Sequence, residues 1–228
     1  MRILDRADAP SAPSERYVRP PQQERSRQSM ERILDAGAGL LADGGWSTFT
    51  VEGVSRQAGV ATASIYQRFG SKEGLFGAIH DRHLIDFAHA VDDAFDLAVL
   101  PSAPPADGVR EVITRLGELF ETHGELGGVC MLNSHRVPEH GAYGAYVMAA
   151  VKDAVVAALL HYLPEDAGVR RSLGREDRAA ICYRMAHSTY ADYATFHRAP
   201  EQRREVGWDT LRREVAAACS AYLLSAPL

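Results

Sequence analysis

The stretch T-V-E-G-V-S-R-Q-A-G-V-A-T-A-S-I-Y-Q-R-F-G-S-K, residues 50–72, decides the fold of this chain. Apolar residues recur along it at intervals of three and four, in two short runs: Val51, Val54 and Ala58, then Val60, Ile65 and Phe69. Gly59 lies between the runs, and glycine adopts left-handed backbone there without steric cost. The pattern predicts a helix-turn-helix, whose second helix is the one that enters a DNA major groove.

Residues 33–76 as a whole resemble the amino-terminal domain of the TetR-type bacterial transcriptional regulators. The resemblance is carried by five motifs in order: I-L-D-A from Ile33, G-G-W at 44–46, A-G-V at 58–60, I-Y-Q-R-F at 65–69 and S-K-E-G-L-F at 71–76. A lone helix-turn-helix signal has low specificity, because any two amphipathic helices around a glycine imitate it. The resemblance implies an all-α chain, with an amino-terminal three-helix DNA-binding domain and a helical ligand-binding and dimerisation domain.

Three residues depart from the family pattern. Ala61 stands where a serine usually caps the second helix, so Thr62 or water must satisfy the first amides. Gly53 replaces the acidic residue that would complete a capping box with Thr50, and a helical glycine costs about 0.5 to 1 kcal/mol relative to alanine. Arg68 replaces the more usual aromatic residue or histidine, which changes the bases that the helix can read.

The resemblance also implies a set of DNA contacts, at Thr50, Thr62, Ala63, Ser64, Tyr66, Gln67, Arg68 and Lys72. Thr50, Tyr66 and Lys72 are expected to contact phosphates, which position a protein on DNA without reading sequence. Base reading is expected from the exposed face of the second helix. Arg68 is the most discriminating candidate there, since one guanidinium can bind guanine O6 and N7 together.

Composition and charge agree with a DNA-binding end on a larger globular chain. The 228 residues are 46% hydrophobic and 24% charged, enough for one large core or two modest ones. The formal net charge of −5 argues against indiscriminate coating of nucleic acid. Residues 1–72 nevertheless carry ten basic and eight acidic side chains, so the acidic excess lies in the remainder.

The cysteines and the hydropathy of the sequence indicate in which cellular compartment the protein is expected. The three cysteines are odd in number, widely spaced and without a C-x-x-C motif, which disfavours a disulfide framework or a zinc ribbon. No amino-terminal apolar core resembles a signal peptide, and uncharged stretches such as 140–151 are shorter than the roughly 20 residues of a membrane helix. We expect a soluble cytoplasmic protein without a membrane partner.

We predict three segments: a flexible arm over 1–27, the DNA-binding domain over 28–76 and the second domain over 77–228. Four prolines lie in the arm, and its arginines at 19, 25 and 27 are candidates for DNA phosphates or a minor groove. A helix capped by Ser71 runs to the proline-rich break at 101–105, spans about 40 Å and connects the domains. Further helices are expected over 107–122, 141–162, 176–197 and 201–224, with a loop over 124–141.

The second domain supplies candidates for two kinds of contact. An effector pocket is expected from its aromatic and polar residues Phe120, Met131, Asn133, Tyr143, Tyr146, Tyr183, His187 and Tyr190. The last two helices carry apolar stripes suited to a four-helix interface across a two-fold axis, from Met185, Tyr193, Leu211, Val215, Ala218 and Tyr222. Each pocket residue, taken singly, has core packing as its simpler explanation, and the alternative for the last two helices is packing within one chain.

The function predicted is a homodimeric repressor released from a palindromic, double-stranded DNA operator by a small organic ligand, with no cofactor and no bound metal. A ligand-independent DNA-binding regulator is one alternative. A metal- or thiol-responsive sensor is another, using Cys130 or the pair His80 and His83. An enzyme is disfavoured because no nucleotide, zinc-protease or hydrolase motif occurs, and Cys130 with His135 lacks a third catalytic group.

Overall fold

The computed structural model describes residues 2–6, 9–16, 24–165, 173–196 and 206–224. Within these ranges the chain forms helices and no strand. The α-helices are α1 (Glu24–Thr48), α2 (Val51–Ala58), α3 (Thr62–Phe69), α4 (Lys72–Ala94), α5 (Pro105–Asn133), α6 (Pro138–Tyr162), α7 (Arg175–Phe196) and α8 (Trp208–Leu224). Short 3-10 helices lie at Ile3–Asp5, Pro13–Arg16 and Ser134–Arg136. The prediction of an all-α fold with an amino-terminal helix-turn-helix is confirmed.

Three helix boundaries differ clearly from the sequence prediction, one being the start of α8, which lies at Trp208 rather than at residue 201. α4 ends at Ala94, short of the proline-rich break, so it is about 35 Å long. α5 continues to Asn133, through the glycines that were expected to form a loop. A Cβ at Gly124 would lie only 2.4 Å from the Cβ of Ala194, so this glycine permits close packing of α5 against α7 rather than ending the helix.

The chain divides into two compact units, which do not coincide with the predicted domains. Unit 1 comprises Ile3–Asp86 and Glu125–Val147, and unit 2 comprises Phe87–Gly124 and Met148–Leu228. The predicted boundary at residue 76 falls inside unit 1, because the first turns of α4 bury Leu75, Phe76 and Ile79 in its core. α4, α5 and α6 each contribute residues to both units.

The core of unit 1 fixes the two helices of the helix-turn-helix. The apolar faces of α2 and α3 are buried together with residues of α1, α4 and the link before α2: Ile33, Leu41, Phe49, Val51, Val54, Ile65, Phe69, Phe76 and Ile79. Burying one large aliphatic or aromatic side chain contributes about 1.5 to 3 kcal/mol. α3 is therefore held by one face, and its opposite face is left to solvent.

The described part of the amino-terminal segment is packed, which corrects the expectation of a flexible arm. Ile3 and Ala12 are buried, and the backbone amide of Ser14 donates to Asp81 Oδ2 at 2.8 Å. The proline-rich composition of this segment did not predict the burial of its apolar residues or this hydrogen bond. Of the three arginines proposed to reach DNA, that at 19 lies outside the described residues, and those at 25 and 27 belong to the first turn of α1.

Unit 2 has its own core, to which the end of α4 contributes Phe87 and Val91 and to which α5, α6, α7 and α8 contribute further residues. Its buried side chains include Val112 and Leu116 of α5, Leu159 of α6, Cys182 and Tyr190 of α7, and Cys219 and Leu223 of α8. Within the described ranges, α6 is the helix whose length and apolar composition would allow it to cross a membrane. The same properties characterise a core helix of a soluble protein, and its residues Val147, Val151, Val155 and Leu159 are buried.

The turn between α2 and α3 gives a stability prediction. Gly59 has φ 65° and ψ 38°, and a side chain there is strained whatever the space around it. Gly59→Ala should lower the free energy of unfolding by about 1 to 2 kcal/mol. Gly39→Ala is the matched control, because Gly39 is helical and its Cβ would meet Gln57 at an ordinary 3.6 Å. It should raise stability by about 0.5 to 1 kcal/mol. Urea unfolding measures both; shifts of the same sign would contradict this reading of the turn.

Candidate nucleic-acid interface

Hydrogen bonds lock the turn that sets the angle between α2 and α3. The Ser55 hydroxyl donates to the Val60 carbonyl at 2.6 Å, and the Thr62 hydroxyl donates to Ser55 Oγ at 3.0 Å. Gly59 supplies the left-handed residue between them. Ser55 therefore joins the end of one helix to the beginning of the next.

The amino-terminal caps of the two helices differ. Thr50 caps α2 by accepting the Gly53 amide at 3.0 Å. α3 begins after Ala61, which makes no side-chain cap. Thr62 is the first residue of α3 rather than its cap, and its hydroxyl donates to Ser55, so the expectation that Thr62 caps the helix is corrected. The first amides of α3 thus have no side-chain acceptor at the cap position and lie at the positive end of the helix dipole.

Four residues of α3 form its solvent-exposed face: Ala63, Ser64, Tyr66 and Gln67. All four belong to the set predicted to contact DNA. Ile65 and Phe69 alternate with them and are buried in the core of unit 1. The exposed face thus presents an amide, two hydroxyls and a methyl group, which are groups that hydrogen-bond or pack against base edges and phosphates.

Arg68 and Thr62 lie differently from the prediction. Both are half-buried rather than fully exposed. The Arg68 guanidinium donates to Ser26 Oγ of α1 at 2.7 Å. The cause is the neighbouring hydroxyl on α1, which no local pattern around Arg68 reveals. Gln67 therefore becomes the strongest base-reading candidate on the exposed face.

Lys72, a predicted phosphate contact, lies in a cation–aromatic cluster. Its Nζ is 4.0 Å from the Trp46 ring centroid and donates to the Trp46 carbonyl at 3.4 Å. The Arg136 guanidinium lies 4.4 Å from the same ring. Burial lowers the pKa of Lys72, with Glu73 opposing and Arg136 adding to the shift. Arg136 was not among the predicted contacts, because it is distant from Lys72 along the chain and belongs to no motif.

Four of the eight predicted pocket residues form an aromatic cluster in unit 2: Phe120, Tyr183, His187 and Tyr190. The ring centroids of Phe120 and His187 are 5.2 Å apart, and those of Tyr183 and His187 are 5.3 Å apart. Burial lowers the pKa of His187, which favours a neutral imidazole. The Tyr190 hydroxyl is buried and has no hydrogen-bond partner among the described residues.

The other four predicted pocket residues, Met131, Asn133, Tyr143 and Tyr146, belong to unit 1. Met131 is 57% exposed on α5. The Asn133 amide donates to the Val129 carbonyl at 2.8 Å and accepts from Arg136 at 3.1 Å, so it serves the end of its own helix. The expected pocket wall was a loop, but the segment is helical.

The predicted dimer residues lie on a partly exposed surface of α7 and α8. Met185 is 42% exposed, and Leu211, Val215, Ala218 and Tyr222 are half-buried or exposed on α8. The opposite face of α8 is buried within unit 2 through Ala216, Cys219 and Leu223. Tyr193 differs from the rest. Its hydroxyl donates to the Val206 carbonyl at 2.6 Å and its ring lies 4.8 Å from that of Trp208, so it packs within the chain.

The cysteines do not have the setting of a thiol sensor. All three, including Cys130, are buried. Burial raises the pKa of Cys130 to about 12, and the Asp81 carboxylate adds to the shift. A reactive cysteine requires an accessible thiolate, so this alternative loses support.

Comparison with known proteins identifies the amino-terminal region. Residues 33–79 match the family of bacterial regulatory proteins described as the tetR family. The amino-terminal domain is a tetR-family domain. The HTH-type transcriptional regulator AlkX of Mycobacterium tuberculosis is 39% identical over 90 residues, which are 37% of this chain and 42% of that protein. The resemblance predicted from the motifs is confirmed, and it points to a DNA-binding regulator rather than to an enzyme.

Solved structures extend the likeness of fold beyond the tetR-family domain. A TetR-family transcriptional regulator from Mesorhizobium loti is 17% identical, with a TM-score of 0.66 over 88% of this chain and 98% of its own. FadR from Bacillus subtilis, solved in complex with stearoyl-CoA, is 16% identical, with a TM-score of 0.58 over 86% of this chain and 99% of its own. At these identities the likeness concerns the fold alone.

The uncapped beginning of α3 gives the second stability prediction. Ala61 has φ −66° and ψ 136°, the extended geometry of a cap residue. Ala61→Ser should therefore add a side-chain acceptor for the first amides and stabilise the protein by about 1 kcal/mol. Ala63→Ser is the matched control, since its site lies inside α3, where serine offers no cap and has a lower helix propensity. Denaturant unfolding measures the free energy of unfolding of both variants. Equal changes in that free energy would contradict the interpretation that α3 lacks a cap.

Proposed function

We propose that this chain is a homodimeric, sequence-specific DNA-binding repressor of the cytoplasm, released from a palindromic operator by a small organic ligand. The observation that carries the proposal is the setting of α3. Ile65 and Phe69 bury one face of α3, and Gln67 projects from the other with Ala63 and Ser64. A major groove about 12 Å wide admits a helix presented in this way.

Sequence-independent contacts would come from the groups around α3. Thr50, Tyr66 and Lys72 are the proposed phosphate contacts, and the positive charge of Arg136 lies at the same indole as Lys72. The uncapped amides of α3 add donors at the positive end of a helix dipole. Such contacts hold the helix in register, while the exposed face discriminates between base pairs.

The aromatic cluster of unit 2 supports a small organic effector. Its rings offer apolar contact surface, and the unpartnered Tyr190 hydroxyl offers a hydrogen bond. A neutral His187 adds a second polar group without a charge. FadR, which shares the fold, is described with stearoyl-CoA, a ligand that combines a long apolar chain with polar groups. We therefore propose an effector that is mainly apolar and carries at least one hydrogen-bonding group.

Release would work through thermodynamic coupling between effector and operator. α4 begins at Lys72, beside the proposed phosphate contacts, and continues into unit 2. An effector that prefers a conformation unable to bind DNA weakens operator affinity by some factor, and operator DNA must weaken effector affinity by the same factor. A ligand-independent regulator, the competing proposal, would show no such reciprocity.

Base reading by Gln67 gives the test of DNA binding. Selection from random duplexes should enrich a two-fold symmetric site, because a dimer presents two copies of α3 about one helical turn apart. Gln67→Ala should then lose preference at one base pair in each half-site, since a glutamine can bind adenine N6 and N7 together, a pair worth about 1 to 3 kcal/mol.

Thr122→Ala is the control for this selection, because its hydroxyl bonds only the Glu118 carbonyl of its own helix in unit 2. It should return the wild-type site. A Gln67→Ala site identical to the wild-type site at every position would remove Gln67 from base reading, and the absence of any enriched sequence for the wild type would sink the proposed function.

The proposed dimer rests on the apolar surface of α7 and α8. Leu211→Asp would place an unpaired charge in the interface and should shift the chain from dimer to monomer in sedimentation velocity at micromolar concentration. Ala217→Asp makes a comparable change at an exposed site of α8 outside the proposed stripe and should leave the dimer intact. A monomeric wild type, or equal dissociation by both variants, would refute this interface.

A further inference from the structure

Three buried polar side chains meet in unit 1 outside the proposed DNA-binding surface. His80 and Asp81 are consecutive residues of α4, and His140 lies in the first turn of α6. Their exposed fractions are 5%, 1% and 4%. One ligand atom from each lies within 4.8 Å of the others. Two imidazoles and a carboxylate so deeply buried require a reason, because buried polar groups are costly unless their hydrogen bonds are satisfied.

The hydrogen bonds within this cluster leave one group unsatisfied. His140 Nδ1 lies 2.6 Å from Asp81 Oδ1, and Asp81 Oδ2 accepts the Ser14 amide at 2.8 Å. His80 Nδ1 lies 3.6 Å from Asp81 Oδ1, too far for a hydrogen bond, and has no hydrogen-bond partner among the described residues. His80 Nδ1 is therefore buried and lies near a carboxylate that already accepts hydrogen bonds from two other donors.

The opposite edge of the His140 ring determines which nitrogen is available. A Cβ at Gly77 would lie 2.4 Å from His140 Nε2, so that edge rests directly against the backbone of α4. Nδ1 is consequently the nitrogen of His140 that faces Asp81. His80 Nδ1 and His140 Nδ1 both approach Asp81 Oδ1, so two helices of unit 1 supply these three candidate ligand atoms.

We propose that His80, Asp81 and His140 bind a divalent transition-metal cation of the zinc class. Imidazole nitrogens suit zinc and its neighbours among the first-row metals, whereas magnesium and calcium prefer oxygen ligands. Zinc takes nitrogen and carboxylate oxygen at about 2.0 to 2.2 Å in a tetrahedral arrangement, which places neighbouring ligand atoms roughly 3.4 Å apart. The fourth position is taken by water or by a further ligand.

The present distances require changes on binding of up to about 1.4 Å, the largest being between the two histidine ligand atoms, which lie within 4.8 Å of each other. The separation of 3.6 Å between His80 and Asp81 already suits two ligands of one ion. The 2.6 Å contact between His140 and Asp81 must open by less than about 1 Å, as the ion replaces the proton on His140 Nδ1 and the ring binds as a neutral imidazole with its proton on Nε2. The Ser14 amide remains on the second carboxylate oxygen, where it orients Asp81 as an outer-shell partner does.

This site differs from the metal-binding pair considered from sequence and from the expectation of no metal. His83 does not belong to the cluster, and His140 takes its place beside His80. The i, i+3 spacing of His80 and His83 on one helix gives no information about a residue sixty positions away. The site joins the amino-terminal segment, α4 and α6 of unit 1, and it does not depend on DNA binding.

Zinc affinity measured by competition with a chromogenic chelator tests the site on the full chain, first stripped of metal. His80→Phe keeps an aromatic ring of similar size and removes no hydrogen bond of Nδ1. It should weaken zinc binding by about 100-fold or more, since loss of a direct ligand exceeds the effect of losing an outer-shell partner. His89→Ala removes an exposed histidine of the same helix and should leave the affinity unchanged.

Two further readouts separate loss of the site from loss of the fold. Zinc should raise the melting temperature of the wild type and of His89→Ala, but not of His80→Phe or His140→Ala. Cobalt(II) bound to the wild type should show the intense visible absorption of a tetrahedral complex, absent in His80→Phe. If the wild type binds zinc no more tightly than His80→Phe, the proposal is overturned, whatever the DNA-binding result.

Discussion

The burial of Ile65 and Phe69 is the constraint on which the DNA-binding surface depends. These two side chains fix the rotation of α3 about its own axis, so they determine which residues face solvent. The turn at Gly59 and the Ser55–Thr62 hydrogen bond then fix its angle to α2. A helix of eight residues is too short to be stable alone, and its presentation is therefore a property of the core rather than of the helix.

Local patterns predicted the parts of the fold that local interactions determine. The spacing of apolar residues located α2 and α3, and the Thr50 cap and the left-handed Gly59 followed from the conformational preferences of those residue types. The end of α5 was not predictable in the same way. Its glycines read as helix terminators, whereas Gly124 serves close packing against Ala194 of α7.

The candidate sites depend more on contacts between distant segments. Periodicity assigns a residue to a face of a helix, but it does not identify the neighbour that covers that face. Arg68 was expected at the DNA surface and instead meets Ser26, while Arg136 joins Lys72 at Trp46 without any sequence signal. The buried cluster at His80 and His140 is a further contact between distant segments, and no pattern in the sequence links these two residues.

The orientation of α3 toward DNA bases is the central claim, and site-directed cleavage tests it most directly. The three native cysteines are buried, so an Ala63→Cys variant directs a thiol-linked iron chelate to the exposed face of α3. With a duplex that the chain selects, we predict cleavage confined to a few base pairs in the major groove of each half-site. Cleavage spread evenly along the duplex, or equal to that from the same reagent at Thr122→Cys, would contradict the account.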